Sequence, residues 1–289
     1  MIGATACVVV GLLAVPAASA GAPGPTVSLG KSHGLEYMKA KFRGVVSQAG
    51  PPANCDGDNQ VTGGGGSISG DPATARLNAT YPLDGASTGW QSEGTATSGT
   101  ARKVAAWAIC GTKAVDYRSQ LGAALGDNTV SFGLIPCVPA APDPLSGGGR
   151  ATGPGILIIA NQPVLPPSTV GWQTVPYNNS GSDTVWNSYA VCSGDYEVRY
   201  RSSAPTKLKA GEAGGAVARC KPNEAVLGGG FVGTNDEVVG YRTSMLATKP
   251  WDSKNDAKKV PDDGWSARAR NIEAALKVSL VAQATCLHP

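Results

Sequence analysis

Along the chain, apolar residues come in short runs that often alternate with polar ones, as in Thr129-Val130-Ser131-Phe132-Gly133-Leu134, and Gly, Pro, Asn and Asp separate the runs. A period of two bounded by turn residues predicts β-strands joined by turns. In the middle of the chain the candidate strands are Asn128 to Pro136, Ile156 to Asn161, Trp172 to Tyr177 and Thr184 to Cys192. No stretch of ten or more residues carries a convincing helical period. Leu35 to Val46 comes nearest, but its counterparts later in the chain read as extended. The pattern predicts an all-β protein.

The same landmarks recur in one order three times. A cysteine opens each unit (Cys55, Cys137, Cys220), and these openers lie 82 and 83 residues apart. A glycine run follows each opener: 63–66, 147–149 and 228–230. Then comes Gly-Trp, at Trp90, Trp172 and Trp265, and 20 or 21 residues later a cysteine that ends an apolar strand: Cys110, Cys192 and Cys286. A tyrosine (Tyr37, Tyr117, Tyr200) precedes each opener by 18 to 20 residues. The chain is thus three copies of a unit of about 82 residues, expected at 34–112, 113–194 and 195–289.

A repeated unit should repeat its covalent pattern. Of the fifteen pairings that six cysteines allow, symmetry selects Cys55–Cys110, Cys137–Cys192 and Cys220–Cys286. The rival pattern joins neighbouring copies, Cys110 to Cys137 and Cys192 to Cys220. Two architectures fit three such copies. One is a pseudo-threefold β-prism in which the copies share sheets; the other is three tandem small β-sandwiches. Only 7 and 8 residues separate Cys110 from Tyr117 and Cys192 from Tyr200, which leaves no linker of the kind that separates free domains and favours the prism.

Residues 1–20 carry no charge, run apolar from Ala4 to Val15, and end in Ala18-Ser19-Ala20. This is the layout of a signal peptide, and its apolar core is shorter than the ~20 residues a spanning helix needs. No Lys or Arg precedes it. Cleavage would remove Cys7, leave an even cysteine count suited to an oxidising compartment, and leave no membrane span. Residues 21–33 read as a flexible N-terminus. The expected location is secreted and extracellular.

Composition narrows the chemistry. There are 24 basic and 21 acidic residues, a net charge of +3, so nothing recommends nucleic acid as the partner. Only two histidines exist, His33 and His288, one near the N-terminus and one next to the last residue, so neither recommends itself as a catalytic base. No acidic, basic or histidine position recurs in all three units, so we expect no catalytic residues, no metal and no cofactor. Asp56-Gly57-Asp58-Asn59 lacks the further ligands of a calcium loop and reads as a polar turn. Trp90, Trp172 and Trp265 have two readings: core plugs beside the glycines, or equivalent platforms on which sugar rings stack. The third unit also carries about 11 extra residues within 249–263. Insertions of this kind often serve binding faces, which makes Trp251, Asp252, Lys254 and Asn255 candidate ligand contacts.

Cysteine, glycine run, Gly-Trp and a closing cysteine strand together resemble a repeat of secreted proteins from high-GC Gram-positive bacteria. The resemblance spans nearly all of 34–286 and implies export, disulfides and β structure rather than a reaction. Monocot mannose-binding lectins are also threefold prisms, but their Gln-x-Asp-x-Asn-x-Val-x-Tyr signature is absent here, as is the repeated Gln-x-Trp of β-trefoils. The expected function is a secreted, non-catalytic protein that binds surface glycan or cell-wall polysaccharide. The alternatives are a structural or self-associating envelope protein and, third, a polysaccharide or peptide hydrolase.

Overall fold

The computed structural model describes residues 25–44, 48–83, 88–96, 102–151, 155–234, 243–253 and 260–288. The signal-peptide segment 1–20 lies outside them, as do Lys254 and Asn255. The described chain is all β. The first repeat supplies β1 (Val27–Ser32), β2 (Leu35–Gly44), β3 (Gln48–Ala49), β4 (Ala53–Asn54), β5 (Gln60–Ile68), β6 (Ala75–Pro82), β7 (Gly89–Ala96) and β8 (Arg102–Gly111). The second supplies β9 (Asp116–Leu125), β10 (Gly133–Pro136), β11 (Asp143–Ala151), β12 (Ile156–Val164), β13 (Gly171–Asn178) and β14 (Thr184–Ser193). The third supplies β15 (Val198–Ser202), β16 (Thr206–Leu208), β17 (Ala213–Arg219), β18 (Ala225–Thr234), β19 (Thr243–Trp251), β20 (Gly264–Asn271) and β21 (Val278–Leu287). Two expectations change. Residues 35–44, the nearest approach to a helical period, are strand β2. Part of the N-terminal stretch expected to be flexible is strand β1, which pairs with β2 and covers its outer edge.

These strands form three seven-stranded sheets, and each sheet is shared by two repeats. The first runs β1-β2-β8-β5-β19-β20-β17, joining repeats one and three at β5–β19. The second runs β3-β7-β6-β11-β14-β9, with β4 also on β7, and joins repeats one and two at β6–β11. The third runs β10-β13-β12-β18-β21-β15, with β16 also on β21, and joins repeats two and three at β12–β18. Each repeat is therefore a sandwich-like pair of half-sheets, each fused edge to edge with a neighbour's. Three separate sandwiches are excluded, and the pseudo-threefold prism stands.

The covalent pattern follows the same logic. Cys55–Cys110, Cys137–Cys192 and Cys220–Cys286 are bonded, and each bridge ties the two half-sheets of one repeat. Three disulfides mark a protein that matures in an oxidising compartment.

The glycine runs lie in β5, β11 and β18, where sheets from different repeats meet. A Cβ on Gly65 would stand 2.0 Å from the Thr248 carbonyl oxygen, and one on Gly148 or Gly230 would stand 1.8 Å from that of Thr80 or Asn161. Only a residue without a side chain lets the joining strands approach this closely. Just upstream, each of the three strands carries a bulge, between Val61 and Gly63, Pro144 and Ser146, and Val226 and Gly228. The recurrent tyrosines address the same places. The Tyr37 hydroxyl donates to the Val226 carbonyl of the third repeat, and the Tyr117 hydroxyl to the Val61 carbonyl of the first. One continuous apolar core draws residues from all three repeats, among them Trp90, Leu145, Trp186, Leu227 and Trp265.

Candidate functional site

Trp90, Trp172 and Trp265 are completely buried, which corrects their reading as ligand contacts. Each indole packs on a glycine of its own repeat: a Cβ on Gly64, Gly147 or Gly229 would lie 2.3 to 2.5 Å from an indole atom. The indole N–H groups donate to Thr80 Oγ1 at 2.7 Å, Asn161 Oδ1 at 2.6 Å and Thr248 Oγ1 at 2.8 Å. Those three acceptors are the residues whose carbonyls face the joint glycines. The Gly-Trp motif is therefore a structural lock that satisfies the buried indole N–H while filling each sandwich. No face of these rings reaches solvent.

A cluster of basic side chains lies on the outer face of the first sheet. Lys39 and Lys41 project from β2, Lys103 and Trp107 from β8, Lys249 and Trp251 from β19, Arg268 from β20, and Arg219 from the end of β17. Alternation along each strand puts these side chains on the same side, away from the core. Lys39 Nζ lies 4.4 Å and Lys249 Nζ 5.1 Å from the centroid of the Trp107 ring, which is only 4% exposed. A hollow of about 450 Å³ beside this group is lined by Lys39, Lys41, Phe42, Ser67, Lys103 and Trp107. A second hollow, of about 420 Å³, lies across the joint and includes Lys249, Trp251, Ser266 and Arg268. Among the described residues, no carboxylate lines either hollow.

Burial, Lys41 and Lys249 together push the Lys39 ammonium down to about 8, and burial lowers Lys249 as well. An ammonium partly removed from water is disfavoured, and at Lys39 the neighbouring like charges add to that cost.

The repeats supply an internal comparison. Trp107 stands three residues before its closing cysteine, as Tyr189 and Gln283 do before theirs, and Lys249 follows Thr248 as Tyr81 follows Thr80 and Gln162 follows Asn161. On the second sheet these positions hold a stacked tyrosine pair, Tyr81 and Tyr189, 5.4 Å apart. Arg150 lies beside that pair with its charge matched by Glu93 at 3.0 Å. On the third sheet Gln162 donates to Gln173. One site in the scaffold has diverged into an aromatic centre, an amide centre and, on the first sheet, a cationic one.

The third-repeat insertion is the β19–β20 connection. Trp251 is half-buried at its start, with the Arg219 guanidinium 5.1 Å from the ring centroid. Asp252 is also half-buried. Trp251 separates the basic face from a recess of about 380 Å³ that includes His33, Arg219, Glu224, Asp262 and Asp263. In that recess Arg201 binds Glu224 at 2.5 Å and the Ser253 N–H donates to Asp263 at 2.7 Å. Val260, just before β20, packs against Gly30 of β1.

Among the described residues the one grouping with metal-ligand geometry is Cys220, Glu224 and Cys286. Its sulfurs are spent in a disulfide and its carboxylate is bound by Arg201, so it is not a metal centre. Asp56 to Asn59 form an exposed turn closed by the Asn59 N–H on the Asp56 carbonyl. No helix among the described residues is long and apolar enough to cross a membrane.

The reading by recurrence found the tryptophans and missed the cationic face, because Lys39, Lys103 and Lys249 have no counterparts in the other units. The signal lay in the departures from symmetry at positions that recur in place but not in type. No protein-family model matches this chain, and none of the curated proteins compared with it is similar.

Proposed function

We propose that this is a secreted, non-catalytic protein that binds extracellular glycan, cell-wall polysaccharide above all, through the outer face of its first sheet. One observation carries the reading. Of three equivalent sheet centres, this one alone combines an indole, two ammoniums over it and a hollow on either side. Concave surfaces with a few convergent polar groups are the default binding sites of a scaffold. The N-terminal export layout and the three disulfides support a location where such a site meets envelope polymers. The test is co-sedimentation of the oxidised protein with isolated cell-wall material. Retention that a Lys249→Glu substitution abolishes is expected, and a wild-type protein that stays in the supernatant would overturn the reading.

A second reading, self-association, draws on the edge strand β9. Its equivalent β2 is covered by β1, whereas β9 is the last strand of its sheet and carries Leu121, 61% exposed, near the exposed Val185. Open edges of this kind invite a further strand. The occupant in this reading is β9 of a second copy. Light scattering then reports a dimer that Leu121→Lys returns to monomer, and a wild-type monomer at high concentration removes the reading.

A further inference from the structure

We infer that the glycan held by the first sheet is acidic, a polymer bearing carboxylate or phosphate groups that lies across the strands from Lys39 to Arg219. The inference rests on the glycan-binding reading and names the chemistry of its ligand.

Six cations gather on this face without an ion pair among the described residues, whereas five elsewhere are matched. Away from the face, Lys31 pairs with Glu36, Arg118 with Asp116, Arg150 with Glu93, Arg199 with Glu197 and Arg201 with Glu224. On the face itself, no ion pair among the described residues involves Lys39, Lys41, Lys103, Lys249, Arg219 or Arg268. Two of the ammoniums share one indole. Like charges held this close and partly desolvated destabilise the free protein, and an anion placed between them removes that cost.

The tryptophans exclude the usual alternative. A neutral sugar is commonly gripped by stacking on an open indole, and this protein has six tryptophans. Trp90, Trp107, Trp172, Trp186 and Trp265 are all buried, and half-buried Trp251 has a guanidinium over its ring. Among the described residues, nothing on the face offers a bare aromatic surface. Trp107 instead acts as a base for the two ammoniums through its π face. The same lack of an open ring disfavours single-stranded nucleic acid, which relies on base stacking.

The layout suits a polymer. From β2 to β17 are five strand spacings, about 24 Å. Lys39, Lys249 and Arg219 are distributed along that line, with Lys41, Lys103 and Arg268 beside it. A chain with a charge on each unit meets several of them at once, and each contact adds to the salt dependence of binding.

The experiment is titration of the oxidised protein with a polyuronate, a poly(glycerol phosphate), a neutral glucan of matched length and single-stranded DNA, at several salt concentrations. Binding of one or both acidic polymers is expected, weakening steadily with salt, and the two arms tell carboxylate from phosphate. The Lys39→Gln/Lys249→Gln double variant should bind roughly ten- to thirtyfold more weakly, the loss expected for two partly exposed charge contacts. Lys207→Gln, on the third sheet, should bind as wild type. Equal binding of the neutral glucan, weakened in the double variant, overturns the acidic ligand but leaves the glycan reading standing, and glucan binding that the double variant leaves unchanged overturns both. DNA bound as tightly as the acidic polymers overturns the inference in favour of a general polyanion surface. If no polymer binds at all, the glycan reading falls with it.

Discussion

At the scale of single residues, two atoms' worth of space decide the fold. The joint glycines sit where a methyl group has no room, since a Cβ on Gly148 would lie 1.8 Å from backbone oxygen that belongs to another repeat. Backbone cannot yield as a flexible side-chain tip can. Gly148→Ala is therefore expected to cost more than about 3 kcal/mol, the upper range of overpacking penalties, or to prevent folding. Urea denaturation checks this against Gly181→Ala, where the added carbon meets nothing and only a positive φ of 82° is strained. The tryptophans were legible as important because they recur with the glycines. Their burial was not, because an exposed platform and a core plug need the same residue at the same spacing.

At the scale of strands and sheets, each disulfide joins two half-sheets rather than closing a loop within one. The bridges span 55, 55 and 66 residues. Opening one by a double Cys-to-Ser change at 137 and 192 should lower stability by about 4 kcal/mol in the chain-entropy model. Because the half-sheets are fused to neighbouring repeats, the loss should lower the midpoint of the whole molecule rather than release one repeat. Differential scanning calorimetry with a single shifted peak is the expected result, and a split peak would contradict it. The strands 156–161, 172–177 and 184–192 were legible from alternation and turn residues, and appear within β12, β13 and β14. The expected strand 128–136 shortens to β10, with Val130 making only an isolated bridge to Tyr177. β11 escaped that reading because its Gly147-Gly148-Gly149 carries no side chains from which a period can be read.

At the scale of the whole molecule, no repeat owns a complete sheet. The second repeat alone, residues 113–194, would expose the inner edges of β11 and β12 together with the apolar run Ile156 to Ile159, all buried here. Expressed by itself it should not fold, as dispersion in a proton–nitrogen NMR spectrum will report. A well-dispersed spectrum would restore the tandem-sandwich view. The intact protein should also show a defined pH profile. Tyr37, Tyr81, Tyr117 and Tyr200 are held above the ordinary phenol value of 10.0, first of all by burial. Above that value the unfolded chain loses phenol protons that the fold retains, so stability falls as pH rises. Lys39 has the opposite sign: between about 8 and its unfolded 10.5 the fold releases a proton that the unfolded chain keeps, so stability rises in that window. Thermal midpoints should therefore hold or climb gently from pH 8 to 10 and drop beyond it.

The sequence by itself determined the β class, the threefold repeat and the three disulfides. Those follow from periodicity and from symmetry, which are properties of the order of residues along the chain. Only the tertiary structure decided that the repeats share sheets, that the recurrent tryptophans are sealed inside, and that one outer face is cationic. Lys39 and Lys103 belong to the first repeat and Lys249 to the third, separated by well over a hundred residues, and they meet only because β5 pairs with β19. A net charge of +3 averages that face away. Charge acts through distance in space, and distance along the chain does not report it until the sheets have closed.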